Sequence, residues 1–320
     1  MKKAIILPVL LLCLVACRKN LEDQCDDYRQ AMRDFVVRIS QTAKSENPNF
    51  VIIPQNGIEL ITTGETANSA LARDYLAAID GHGQEDLFYG YSSDETPTPS
   101  SETNYLLSYL RRSHNEGKTI FVTDYCSQNQ HIADSYARCD AEGFVAFPAP
   151  HRSLNVIPTN SIHNENNDTI RKLSEVSNFL YLINPENYNT KQKFIDAVRA
   201  TNYDLLIMDL FLDGDNAFTK DEVESLRQKA NGGKRLVICY LSIGEAEDYR
   251  YYWNSAWSSN PPAWLAKENP DWDGNYKVRY WNAEWQAIIC ASRDSYMQRI
   301  LNAGFDGAYR DIVDAYEYFE

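Results

Sequence analysis

The sequence predicts an α/β fold, a (β/α)8 TIM barrel, and three observations carry that expectation. Short apolar runs alternate with stretches whose apolar residues recur at helical spacing, the pattern of parallel strands joined by crossover helices. Eight such runs read as strands, the number that closes a barrel. No GxGxxG or GxxxxGK[ST] loop follows any of them, which leaves an open, doubly wound nucleotide-binding sheet as the second choice. A chain of 320 residues is long enough for one large domain with a full core.

The N-terminus reads as a targeting segment. Lys2 and Lys3 precede an apolar run over residues 4–14 that is short for a membrane span. The run closes on Leu14-Val15-Ala16-Cys17, small residues before a cysteine, as lipoprotein signal peptidase requires. Residues 1–17 are therefore expected to be a lipoprotein signal peptide and Cys17 the lipidated residue. Arg18 follows where an inner-membrane retention signal would have Asp, so a lipid anchor in the outer membrane of a cell envelope is expected, periplasmic or surface-facing. Residues 18–27 form a polar tether, and residues 28–320 a single domain.

The elements follow in order. Residues 28–45 carry apolar side chains at helical spacing. Phe50-Val51-Ile52-Ile53 is a strand that ends at Pro54-Gln55-Asn56-Gly57. A helix covers residues 69–79. The next strand is either the glycine-rich Asp80-Gly81-His82-Gly83-Gln84-Glu85, with Glu85 at its end, or Asp86-Leu87-Phe88-Tyr89. A polar loop over 92–102 leads to a helix at 103–115. Residues 119–125 are a strand, followed by a helix to Arg138 and a strand at 143–147. Residues 152–178 are polar and rich in Asn, and read as a linker with a short helix. The alternation resumes with a strand at 179–183, a helix at 190–200 and a strand at 205–209. Thr219-Lys220-Asp221-Glu222 is a capping box that opens a helix. Strands at 235–242 and 307–311 complete the set.

Composition narrows the function. A net charge of −14 and a pI near 4.9 exclude the basic footprint of a nucleic-acid binder. Beyond Cys17, Cys25, Cys126, Cys139, Cys239 and Cys290 are odd in number, no CxxC occurs, and Cys126 and Cys139 are separated by a helical stretch of roughly 20 Å. Neither a disulfide framework nor a zinc site is expected. The five His form no HxH or HExxH array. Asp213-Gly214-Asp215 hints at a calcium loop, but Phe218 stands where that loop needs Gly. No metal, no cofactor and no partner chain are expected.

In a barrel the working face lies at the carboxyl ends of the strands. Asp124, Asp209, Glu245 and Asp311 fall there, as does Glu85 if its strand is the glycine-rich one. Alternation puts Gly307, Tyr309 and Asp311 on one face with Arg310 on the other, and groups Leu205, Ile207 and Asp209, and Ile238, Tyr240 and Ser242. An acidic mouth suits paired-carboxyl glycoside hydrolysis, in which one group protonates the leaving oxygen and the other attacks or activates water. The bland alternative is that Glu245, Glu247 and Asp248 only favour a helix N-terminus, and that Asp124 and Asp209 cap loops. All six Trp lie within residues 253–285. Most of these rings are expected to pack as a small core, with one or two on the cleft.

The stretch YLSIGEAEDYR (240–250), the Trp-rich run through NPDWDGNYKVRYW, and GFDGAYRDIVDAYEYF together resemble the bacterial and archaeal branch of glycoside hydrolase family 114, the endo-α-1,4-polygalactosaminidase-like proteins. The resemblance covers about residues 179–320. NFVIIPQNGIEL and TIFVTDY match as well, but in the family those pieces come after the GFDG strand. The chain is thus expected to be circularly permuted. The Asn-rich linker sits where the family's termini would join, the first helix has no strand before it, and the chain stops just after the strand bearing Asp311. The resemblance implies a (β/α)8 barrel acting on an α-1,4-linked galactosamine polymer. It implies Asp311 as a catalytic carboxyl, with Glu245, then Asp209, then Glu85 as its partner. Tyr240, Glu247, Arg250, Tyr309, Asp314, Asp124, Gln55, Asn56 and Trp281 are the expected substrate-binding residues. Arg310 replaces the family's Leu and is expected to face the helix layer. The rival expectation is a glycan-binding lipoprotein that has lost the reaction.

Overall fold

The computed structural model describes residues 25–320. The expected signal peptide, Cys17 and most of the tether lie outside the described residues. Helix α1 (Tyr28–Glu46) opens on Asp27, whose carboxylate accepts from the Gln30 amide. Met32, Phe35, Val36, Ile39 and Ala43 form its buried stripe at the spacing of an amphipathic helix. The strands, in chain order, are β1 (Val51–Pro54), β2 (Gly81–Glu85), β3 (Thr119–Tyr125), β4 (Val145–Ala149), β5 (Phe179–Leu182), β6 (Leu205–Met208), β7 (Leu236–Ser242), β8 (Glu245–Glu247), β9 (Leu265–Glu268), β10 (Asn275–Val278) and β11 (Gly307–Asp311). The glycine-rich segment, not residues 86–89, is therefore the second strand.

The fold is α/β with parallel sheets. One sheet runs β5-β6-β7-β11-β1 and a second β2-β3-β4, with every neighbouring pair parallel. The ladders do not form one continuous closed sheet, and the interruptions have local causes. At the β1/β2 seam the Ile52 amide donates to the Asp80 carboxylate at 2.9 Å instead of to a strand carbonyl. Backbone contact there is reduced to the Asp80–Ile52 and Asn56–Gly83 bonds, each 2.8 Å. At the other seam β4 carries Pro148, which has no N–H to offer. There β4 and β5 meet through side chains, the Phe179 ring lying 5.4 Å from Phe147 and 5.2 Å from Phe121.

Helices cover the strands: α2 (Arg73–Ala78), α3 (Ser100–Asn115), α4 (Asn129–Glu142), α5 (Lys191–Arg199), α6 (Lys220–Leu226), α7 (Ala283–Gln286) and α8 (Tyr296–Asn302). The Thr219–Glu222 capping box forms as read. No long helix follows β4. Residues 150–178 take that place, with a single 3-10 turn at Leu173–Glu175, and they run from the carboxyl end of β4 to the amino end of β5. The lower part is fastened by a Thr169–Lys234 bridge and by Asn166, whose side chain bonds both Lys229 (3.0 Å) and Asp204 (2.9 Å). Lys229 and Asp204 pair at 2.6 Å with both side chains fully buried.

Inside, Gly307, Tyr309 and Asp311 share a face. Tyr309 packs edge-on against Tyr181, with centroids 5.2 Å apart. A Cβ on Gly83 would sit 1.9 Å from the Tyr309 hydroxyl oxygen, so the glycine provides room for that ring. Arg310 points the other way, is fully buried, and donates to the Val36 carbonyl of α1.

After β7 the acids do not start a helix. Glu245–Glu247 is the short strand β8 of an antiparallel sheet, order β8-β10-β9, held above the carboxyl ends. Behind it Trp253, Trp257, Trp264 and Trp285 stack in series at centroid distances of 5.0–5.2 Å. The five cysteines among the described residues are free.

Candidate active site

A cleft of about 290 Å³ opens at the carboxyl ends of the strands. Its centre is a pair of carboxyls, Glu85 at the end of β2 and Asp311 at the end of β11. The Gln55 side-chain nitrogen donates to both, at 2.7 Å to Glu85 Oε2 and 2.9 Å to Asp311 Oδ1. Those two oxygens are thus less than about 6 Å apart, since two hydrogen bonds laid end to end span no more. The Gln55 carbonyl oxygen accepts from the buried Tyr181 hydroxyl at 2.8 Å, which fixes the amide with its nitrogen toward the acids. Glu85 also accepts from Asn56 Nδ2 at 3.0 Å and from the Tyr125 hydroxyl. Asp311 accepts from the Tyr240 hydroxyl at 2.7 Å and from the Ile312 amide at 2.8 Å.

The backbone around this pair is strained in a repeated way. Asn56, Asp86 and Ile312 each follow a cleft residue at a strand end, and all three are left-handed, with φ of 59°, 56° and 59°. Non-glycine residues rarely adopt that region, least of all a β-branched one, and such strain concentrates where side chains are being aimed.

Electrostatics set the pair's protonation. Burial first, and then the nearby Asp311, push Glu85 up, while Tyr125 and Asn56 oppose the shift. Burial pushes Asp311 up to about 6 against the donors Tyr240 and Ile312. Two carboxyls this close and this buried favour one shared proton near neutrality.

Beside the pair lies an ion network centred on Arg250. Its fork holds Asp209 through two bonds, 2.9 and 2.7 Å, and its Nε reaches Glu247 at 2.6 Å. The Tyr249 hydroxyl donates to Glu247 at 2.6 Å. Asp209 and Glu247 line the cleft but are already committed to the guanidinium. Glu245 lines it too, 2 % exposed, with Asn269 and Tyr318 each donating to Oε1 at 2.9 Å. On the opposite rim Arg152 of the linker lies 3.8 Å over the Tyr125 ring and grips Asp86 and Asp94.

Of the expected residues, Gln55, Asn56, Glu85, Asp209, Tyr240, Glu245, Glu247, Arg250 and Asp311 all line this cleft. Four do not, and each correction has a physical reason. Asp124 faces the helix layer, where it accepts from the Phe88 and Tyr89 amides and from Ser135 of α4. The neighbouring Tyr125 takes the inward position, one step along the alternation. Tyr309 is inward but too deep, packed beneath the cleft against Tyr181. Trp281 packs on Tyr28 and Phe319. Asp314 sits in the 3-10 turn Val313–Tyr318 beyond the strand end and is pushed up by burial and by Asp311.

Trp272 is the ring of the Trp-rich segment that reaches the cleft, as expected of one or two of them, whereas Tyr125, Arg152, Tyr181, Asn184 and Asn275 are among the lining residues that the sequence reading did not single out. Parity along β3 points to Tyr125, since Phe121 already faces inward. The others come together only through tertiary contacts. Among the described residues no group of three or more His, Cys, Asp or Glu is placed to hold a metal ion.

Fold and cleft define an α/β protein with a buried carboxyl pair at the carboxyl ends of parallel strands. Residues 187–320 match the model of glycoside-hydrolase family GH114. An uncharacterized protein, MJ1477, from Methanocaldococcus jannaschii is 40% identical over 163 residues, 50% of this chain and 43% of its own. Uncharacterized proteins from Deinococcus radiodurans (43% over 126 residues, 39% of this chain and 38% of that one) and Thermotoga maritima (35% over 124 residues, 38% and 36%) are similar too. The chain spans less than half the length of each of these relatives.

Proposed function

We propose that this protein hydrolyses glycosidic bonds in an amino-sugar polysaccharide of the α-1,4-polygalactosamine type, with Asp311 as nucleophile and Glu85 as general acid. The observation that carries the reading is the Gln55 amide bridging two buried carboxyls in an open cleft. Their short separation suits a retaining double displacement, because an inverting pair stands about 6.5–9.5 Å apart to admit water. Asp311 attacks the anomeric carbon while Glu85 delivers its proton to the leaving oxygen. The deprotonated Glu85 then takes a proton from the water that displaces Asp311. Five acids and two arginines line the cleft, an acidic surface that attracts a cationic polymer.

The reading includes a permuted (β/α)8 barrel. It draws support from the strand sequence β5-β6-β7-β11-β1 and β2-β3-β4, from the two seams, and from a linker that fills a helix's place. It also includes a lipid on Cys17 and a place in the cell envelope, for which the support is the Leu14-Val15-Ala16-Cys17 box.

The test is hydrolysis of de-N-acetylated galactosamine oligosaccharides and of an aryl glycoside whose leaving group needs no acid. Asp311→Asn is expected to lose at least 1,000-fold on both. Glu85→Gln is expected to lose a comparable factor on the oligosaccharide and far less on the aryl glycoside. Binding of the polymer by the parent with no cleavage would instead mark a glycan-binding protein.

A further inference from the structure

With the pair assigned to Glu85 and Asp311, the remaining cleft acids differ in one respect. Both oxygens of Asp209 are held by Arg250, and Glu247 is shared between Arg250 and Tyr249. Glu245 has no cation within salt-bridge distance among the described residues. Its two donors, Asn269 and Tyr318, both bond Oε1, and Oε2 has no partner there. A buried carboxylate oriented from one side, with its second oxygen open to a cleft, is an acceptor waiting for a donor. Lys277, the register partner of Glu245 across β8 and β10, acts on it through its charge but makes no salt bridge to it, and lies 3.9 Å over the Tyr318 ring.

The same β9–β10 hairpin that orients Glu245 through Asn269 also carries Trp272. This indole lines the cleft and is 53% exposed, whereas Trp264 and Trp285 are fully buried and Trp253, Trp257 and Trp281 pack against other rings. An open indole on a cleft wall offers a sugar ring an apolar face, and offers a cation its π surface. The site adjoins the reacting centre. Ser242 is the register partner of Asp311, and the Ser242 hydroxyl donates to the Glu245 carbonyl at 3.2 Å.

We propose that Glu245 and Trp272 form a subsite that reads the free amino group of the substrate, the carboxylate bonding a sugar ammonium while the indole stacks on the same or the adjoining ring. This rests on the hydrolase reading above and names the side chains that select the amine. A charge-assisted bond to a carboxylate that is held in no salt bridge discriminates against an N-acetylated sugar, which brings no positive charge.

The test uses the uncleaving Asp311→Asn protein and measures Kd by calorimetry for galactosamine oligosaccharides of one length, either de-N-acetylated or fully N-acetylated. The expected result is a preference for the free amine that Glu245→Gln, which keeps the acceptor oxygen for Asn269 and Tyr318, reduces at least tenfold. Trp272→Ala, a change at an exposed position, is expected to weaken both ligands by similar factors and to keep the preference. A Glu245→Gln protein with the parent's preference, or a parent with none, overturns the subsite and leaves the hydrolase reading standing on its cleavage assay. A parent that neither binds nor cleaves either ligand overturns both.

Discussion

Asp311 illustrates how a site residue works against its own fold. Its carboxyl is raised to about 6 in the folded chain, against about 3.9 for an unfolded Asp. The folded state therefore holds the extra proton between those values, and stability falls as pH rises through that window. Asp311→Asn removes the buried charge, so it is expected to raise the unfolding free energy at pH 7 by on the order of 2 kcal/mol while abolishing activity. The gain should fade as pH is lowered from about 6 toward 4, which urea unfolding at a series of pH values would reveal. A gain independent of pH would remove the charge from the explanation. On the proposed assignment of Asp311 as nucleophile, kcat/KM is expected to decline below about pH 6 as that carboxyl becomes protonated.

Among elements, β2 is closely constrained by its neighbours. Gly81-His82-Gly83-Gln84-Glu85 is a poor strand by propensity, since Gly lowers strand stability. The structure gives the reason: Gly83 stands where the Tyr309 ring crosses, and Glu85, two residues on, shares its face. Gly83→Ala is expected to cost about 1–3 kcal/mol by overpacking and to slow catalysis by displacing the Tyr309–Tyr181 pair that underlies Gln55. Thermal unfolding of Gly83→Ala with and without Tyr309→Val tests this, because the smaller side chain should recover part of the loss. The glycines hid this strand in the sequence, and the alternative at residues 86–89 could not be dismissed there. The β8-β10-β9 sheet was not legible either. Its strands are three or four residues long and polar, and the Trp stack packs against them through Trp253, 4.8 Å from Tyr276 of β10.

For the whole molecule, the linker over residues 150–178 does the work of a missing helix. It contributes Arg152 to the cleft rim at one end, and at the other it covers the buried Lys229–Asp204 pair. Lys229→Met leaves the buried Asp204 without its salt-bridge partner and is expected to destabilise the protein by about 3–5 kcal/mol. The double variant with Asp204→Leu should recover much of that loss in chemical denaturation. If the single variant unfolds like the parent, the pair does not fasten the linker.

The sequence by itself determined the alternation of strands and helices, the inward set Gly307, Tyr309 and Asp311, the outward Arg310, and the gathering of acids at strand ends. These follow from periodicity, which is a local property of the chain. Only the tertiary structure decided which acids are available for chemistry. Glu85 and Asp311 lie 226 residues apart in the chain and meet through Gln55, whereas Asp209 and Glu247 are taken up by Arg250. The difference is physical: a carboxylate's role depends on burial and on the partners that reach it, and neither is encoded in its neighbours along the chain.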